Sequence, residues 1–147
     1  MSPEPWILLV EDTADDEELT LLALEDAGVK NEIRVARDGV EALEALFGPE
    51  EGPAPEPPIL VLLDLRLPKI DGLDVLRQIR RVKRTRTLPV VILTSSDLDE
   101  DVTRSYELGV NSYIRKPVEF TEFATAIRQV GLYWVILNRH SVKKEAT

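Results

Sequence analysis

Polar residues placed directly after apolar runs are the first candidates for chemistry, because burying them without partners is expensive. Glu11 and Asp12 follow the run 6–10 (WILLV), Asp64 follows 59–63 (ILVLL), Thr94 and Ser95 follow 90–93 (VVIL), and Lys116-Pro117 follow the weaker candidate 112–115. Brought to one edge, these ends place three carboxylates, a hydroxyl and an ammonium together. Two carboxylates about 4 Å apart repel by about 4 kcal/mol at an effective dielectric of roughly 20. Either some of them are protonated or a cation neutralises them. With no Cys and one His in the chain, the ligands are oxygens, which suit a hard cation, Mg2+ first. Mg2+ keeps positions for water and phosphate oxygens, and a lysine and hydroxyl facing it complete a cradle for a phosphoryl group.

Taken singly, each piece has a plainer use. Glu11-Asp12 fits helix-capping acids, Lys116-Pro117 an ordinary turn, Thr94-Ser95 a strand end, and Asp71-Gly72 the turn before a third helix. Convergence depends on the elements. The continuously apolar runs fit strands buried on both faces, as in a parallel sheet covered by helices. Residues 32–36 and 112–115 are two weaker strands. Between the first two strands, 15–27 places Leu19, Leu22, Ala23 and Ala27 on one helical face, with Gly28 as its stop, and Gly109 stops a helix near 98–108. Five strands alternating with five helices predict an α/β doubly wound sheet. In such a sheet ligands sit beyond the carboxyl ends of the strands, where strand order reverses.

The segment 48–58, GPEEGPAPEPP, holds five of the ten prolines and reads as a semi-stiff surface loop, better explained as a tolerated insertion than a docking loop. The spacing of Phe120, Phe123, Ile127, Val130, Trp134 and Leu137 predicts a last helix over about 119–138, apolar nearly all round in its second half. We expect that face to serve self-association or a partner. His140 lies in the tail beyond it, where a solvated surface role is expected.

The chain has 147 residues, 27 acids and 18 bases, for a net charge of −9. At this length it can bury roughly 68–70% of its unfolded surface without metal or disulfide staples. The acidic balance argues against general nucleic-acid binding. The longest near-apolar run, 130–137, falls far short of the roughly 20 residues of a membrane span, and no secretory signal opens the chain; a cytoplasmic protein is expected. Charge is uneven: residues 77–86 carry six bases and no acid, read as a solvated helix end with an acidic partner as the alternative.

The motifs LLVEDTADD at 8–16, LLDLRLPKIDG at 62–72, VVILTSS at 90–96 and YIRKP at 113–117 together resemble the receiver domain of two-component response regulators over roughly residues 5–137. The resemblance implies a flavodoxin-like five-stranded parallel sheet of order 2-1-3-4-5 with five helices. It also implies one receiver domain over 1–147, with a core at about 5–137 and a short tail at 138–147. Asp64 would then be the phosphoacceptor. Asp12, Glu11 (through water), Asp64 and the Arg66 backbone carbonyl would hold Mg2+. Lys116 would pair with phosphoryl oxygens, aimed by a cis Pro117, and Ser95 would support the site. Thr94 and Tyr113 would form the switch. Such a protein is not a conventional enzyme; it would catalyse its own phosphotransfer and autodephosphorylation.

With about ten residues after the last helix, a standalone receiver without a DNA-binding domain is expected. The Pro-rich insertion, DVTRSYELGVNSYIRKP and the ending GLYWVILN resemble the small regulators paired with bacterial phytochrome histidine kinases. That implies a sensor histidine kinase as partner, a bacteriophytochrome among the candidates, and a homodimer through the terminal helix around Trp134. Two other readings stay open: a phosphorylation-independent adaptor, and a Mg2+-dependent phosphohydrolase of similar fold. Against the second, Arg66 stands where such enzymes carry a second Asp.

Overall fold

In a computed structural model, residues 5–49, 52–53, 55–94, 104–132 and 136 are described. The apolar runs form β1 (Trp6–Val10), β3 (Leu60–Asp64) and β4 (Val90–Thr94), buried at every position. β2 (Glu32–Ala36) and β5 (Ser112–Arg115) are partly exposed, and they lie at the two edges of one parallel sheet ordered β2-β1-β3-β4-β5. The order expected from the resemblance is the order found. In register, Leu63 pairs with Val10 and Ile92, and Asp64 pairs with Leu93.

Strand side chains alternate between faces, and they divide the core in two. Trp6, Leu8, Val10, Val61, Leu63, Val90 and Ile92 face α2 (Gly39–Phe47) and α3 (Gly72–Arg81). Ile7, Leu9, Leu60, Leu62, Val91 and Leu93 face α1 (Ala14–Asp26) and α5 (Phe120–Gln129). The end of α4 is described over 104–107. Among the described residues, no helix is long and apolar enough to cross a membrane.

Three expectations need correction. The inward face of α1 is Thr20, Ala23 and Leu24, while Leu19 and Leu22 stand about half exposed. The helix is thus turned by about one residue from the predicted stripe. α5 does not run unbroken to 138. Gly131 adopts φ 80°; its N–H donates to the Arg128 carbonyl, and that of Leu132 donates to Ile127. This pair of bonds is the Schellman stop, which a glycine accommodates without Cβ strain. Ile136 is helical and buried against the α1–α5 core; Trp134, Leu137 and His140 lie outside the described residues.

The basic stretch, finally, is not simply a solvated end. The Arg80 guanidinium donates to the carbonyls of Leu108, Leu88, Gly109 and Arg86 at 2.7–3.1 Å, tying α3 to the loops around β4 and β5. Arg84 donates to Leu46 at 2.9 Å and to Pro55. With Trp6 Nε1 donating to Glu56, it fastens the far end of the Pro-rich segment to the sheet.

Candidate functional site

Each strand end delivers one part of the site, because a parallel sheet brings all its carboxyl ends to one edge. Glu11 directly follows β1; its N–H donates to the Ala36 carbonyl, which extends the ladder by one residue and draws the side chain into full burial. Asp64 ends β3 and is 4% exposed. Thr94 ends β4, also buried, and its carbonyl accepts the Lys116 N–H at 2.8 Å. Lys116 follows β5, ahead of a cis peptide bond to Pro117. A glycine is required at position 72: a Cβ there would lie 2.4 Å from the Asp64 carbonyl oxygen and 2.6 Å from Leu65 Cα. Only without it can α3 begin this close to the end of β3.

The Lys116 ammonium is the centre of the arrangement. It lies 2.7 Å from Asp64 Oδ2, 2.6 Å from Glu11 Oε2 and 3.1 Å from Asp16 Oδ2. Asp64 Oδ1 accepts the Arg66 N–H at 3.0 Å, and Glu11 Oε1 accepts the Thr13 N–H at 3.3 Å. Glu11 Oε2 is close to the ammonium but off the direction of a hydrogen bond, so this buried oxygen has no donor. Burial, reinforced by the Asp64 charge and opposed by Lys116, raises the Glu11 pKa to about 7. For Lys116, burial pulls downward, but the Asp64 and Glu11 carboxylates outweigh it and hold the ammonium above its ordinary range.

Glu11, Asp12 and Asp64 each offer an oxygen within 4.8 Å of the others, Asp12 from an exposed position. These residues fit a divalent cation: the donors are all oxygen, and one is a buried carboxylate oxygen lacking a hydrogen-bond donor. Of the repulsion expected among the three carboxylates, the part between Asp64 and Glu11 adds to the burial that raises Glu11, and Lys116 only partly offsets the two.

Of the residues singled out from sequence, Glu11, Asp12, Asp64, Thr94 and Lys116 gather at this edge. Tyr113 lies one strand turn back, half exposed, edge-to-face with Tyr106 at 6.1 Å. Ser95 lies outside the described residues. Asp16 was missed. It shares the true inward line of α1, one turn before Thr20, and the misassigned phase hid it; a stripe drawn through Ala23, Leu24 and Ala27 leads back to it.

Comparison with known proteins agrees with this geometry. The Response regulator receiver domain family matches residues 7–128. The chain is 48% identical to the bacteriophytochrome response regulator AtBRR, covering 93% of this chain and 99% of that one with a TM-score of 0.78. It is 37% identical to response regulator Rcp1 in its Mn2+-bound form, covering 88% and 92% with a TM-score of 0.70; the curated Rcp1 is from Synechocystis. It is also 44% identical to the probable methanogenesis regulatory protein FilR2 of Methanothrix harundinacea, covering 90% and 85%. With the strand order, the carboxylate cluster and its lysine, these matches establish that the chain belongs to the response regulator receiver domain family.

Proposed function

We propose that Asp64 is the phosphoacceptor of a standalone receiver serving a phytochrome-type sensor histidine kinase. The observation that carries the acceptor is the placement of Asp64: buried at the end of β3, 2.7 Å from an ammonium and within a metal-capable carboxylate set. An Asp64 carboxylate oxygen attacks phosphorus of the phosphohistidine, forming a P–O bond as the P–N bond breaks and the imidazole leaves with the electron pair. Glu11, Asp12, Asp64 and the Arg66 carbonyl would hold Mg2+, which supplies charge neutralisation for the phosphoryl oxygens. Lys116, already beside the Asp64 carboxylate, offers its ammonium to those same oxygens. Thr94, buried at the next strand end, offers its hydroxyl, and its movement is read by Tyr113 on β5. Tyr113 and Tyr106 line a cleft between β5 and α5 with Thr121, Thr125 and Gln129, the surface that changes when Tyr113 turns inward. Such a device converts a local charge change into a surface change.

The likeness to AtBRR and Rcp1 supports the phytochrome pairing, and the likeness to FilR2 shows why it needs its own assay. The residues 1–147 act as one cytoplasmic receiver domain, dimeric through the terminal helix around Trp134, with no nucleic-acid partner. The test is incubation with Mg2+ and a small phosphodonor, Asp64→Asn beside wild type. A base-labile phosphoryl adduct on wild type alone is expected; none, or an equal one on Asp64→Asn, refutes the assignment. Transfer from a phosphorylated bacteriophytochrome kinase should outpace transfer from unrelated kinases. Equal rates would remove the pairing. Light scattering of Trp134→Glu should show the monomer mass, and an unchanged mass would refute the dimer.

A further inference from the structure

One neighbour of the Lys116 ammonium stands outside the mutually close set of Glu11, Asp12 and Asp64. Asp16, on the first turn of α1, accepts a hydrogen bond from Nζ at 3.1 Å across 100 residues of sequence, and its side chain stays one-third exposed. We propose that Asp16 is a positioning residue that holds Lys116 in the resting protein and slows the uptake of an anionic phosphoryl group, an inference that rests on Asp64 as the acceptor.

Three carboxylate oxygens already crowd the ammonium at 2.6–3.1 Å. A phosphoryl oxygen comes within ion-pair distance of it as one of them gives way. Releasing Glu11 or Asp64 would leave a buried carboxylate without its cation, a heavy cost. Asp16 alone has water to return to. It is therefore the partner released when the phosphoryl group arrives. Its negative charge, left at the mouth of the site, also repels the incoming oxygens. Both effects act in the same direction: the resting hold on Lys116 delays transfer.

The step tested is the reaction of Asp64 with acetyl phosphate. The carboxylate oxygen bonds to phosphorus, the phosphorus–oxygen bond to acetate breaks, and acetate leaves with the electron pair. Wild type, Asp16→Asn and Asp16→Glu are compared at saturating Mg2+, following the adduct by intact mass. Asp16→Asn should form it about fivefold faster, as expected for loss of one partly screened like charge. Asp16→Glu should return the rate toward wild type. Raising the ionic strength should shrink the difference between wild type and Asp16→Asn, which a purely structural role for Asp16 would not produce. An Asp16→Asn rate equal to or below wild type overturns the proposal while leaving Asp64 as acceptor. Absence of an adduct on wild type overturns the acceptor assignment, and this proposal with it.

Discussion

Replacing Glu11 by Gln should stabilise the metal-free protein above pH 7, although it removes one side of a buried ion pair. Glu11 is fully buried, one of its oxygens has no hydrogen-bond donor, and its pKa is raised from 4.5 to about 7 even with Lys116 at 2.6 Å. The attraction of the ammonium is thus already included, and burial still wins. A carboxyl that titrates near 7 folded and near 4.5 unfolded binds its proton more tightly in the folded state. Stability is therefore lost as pH rises from 4.5 to 7 and stays low above. At about 1.4 kcal/mol per pH unit the full loss is about 3 kcal/mol, and relaxation of the site around the buried charge reduces it to about 2. Gln keeps the shape without the charge and escapes that loss.

Urea unfolding in EDTA, at intervals from pH 4.5 to 8.5, measures the difference between the two proteins and cancels their other titrations. The gap should be near zero at pH 4.5 and reach about 2 kcal/mol in favour of Glu11→Gln by pH 8. Mg2+ should reverse the order. Ligand binding to the folded state alone adds about 2.7 kcal/mol at a hundredfold excess over Kd, and the variant has lost one anionic donor. A Glu11→Gln protein less stable than wild type at pH 8 in EDTA, or a gap independent of pH, would refute the reasoning. The ion pair with Lys116 would then outweigh the cost of burying the carboxylate.

Arg80→Ala should cost about 3 kcal/mol in urea unfolding, because four backbone carbonyls lose a charged donor; a cost under about 1 kcal/mol would return Arg80 to the solvated surface. Leu24→Ala should cost about 2–5 kcal/mol and Leu22→Ala under about 1, since Leu24 is fully buried and Leu22 is 49% exposed. Equal costs would contradict the phase of α1. Gly72→Ala should lower both stability and phosphoryl uptake, because its Cβ would press on the Asp64 carbonyl and on Leu65; an uptake rate equal to wild type would show that the end of β3 can yield.

What could be read from sequence follows from how strongly each feature depends on local pattern. Strands β1, β3 and β4 are buried on both faces, so each appears as an unbroken apolar run, and the polar residue ending the run marks the site edge. Glu11, Asp64 and Thr94 were legible for that reason; Lys116 follows the half-exposed β5 and was found with the motif set, which also implied the strand order. Helix phase is a weaker signal. On α1 the stripe through Leu19 and Leu22 competes with the one through Thr20 and Leu24, and only packing against the sheet decides between them. Choosing the more apolar stripe lost more than a burial assignment, because Asp16 rides on the other one. The Arg80 and Arg84 anchors were hidden by a different cause: a charge run looks the same whether its guanidiniums meet water or backbone carbonyls of distant loops. Gly131 was legible as a glycine but lay inside a seam of regular apolar spacing, and the seam was given priority over the stop. At α1 and at the arginines a longer-range contact overrode a pattern read along the chain; at Gly131 one local pattern overrode another. At Asp16 that contact is with the lysine proposed to receive the phosphoryl group, so the phase of one helix decides which charges surround the acceptor.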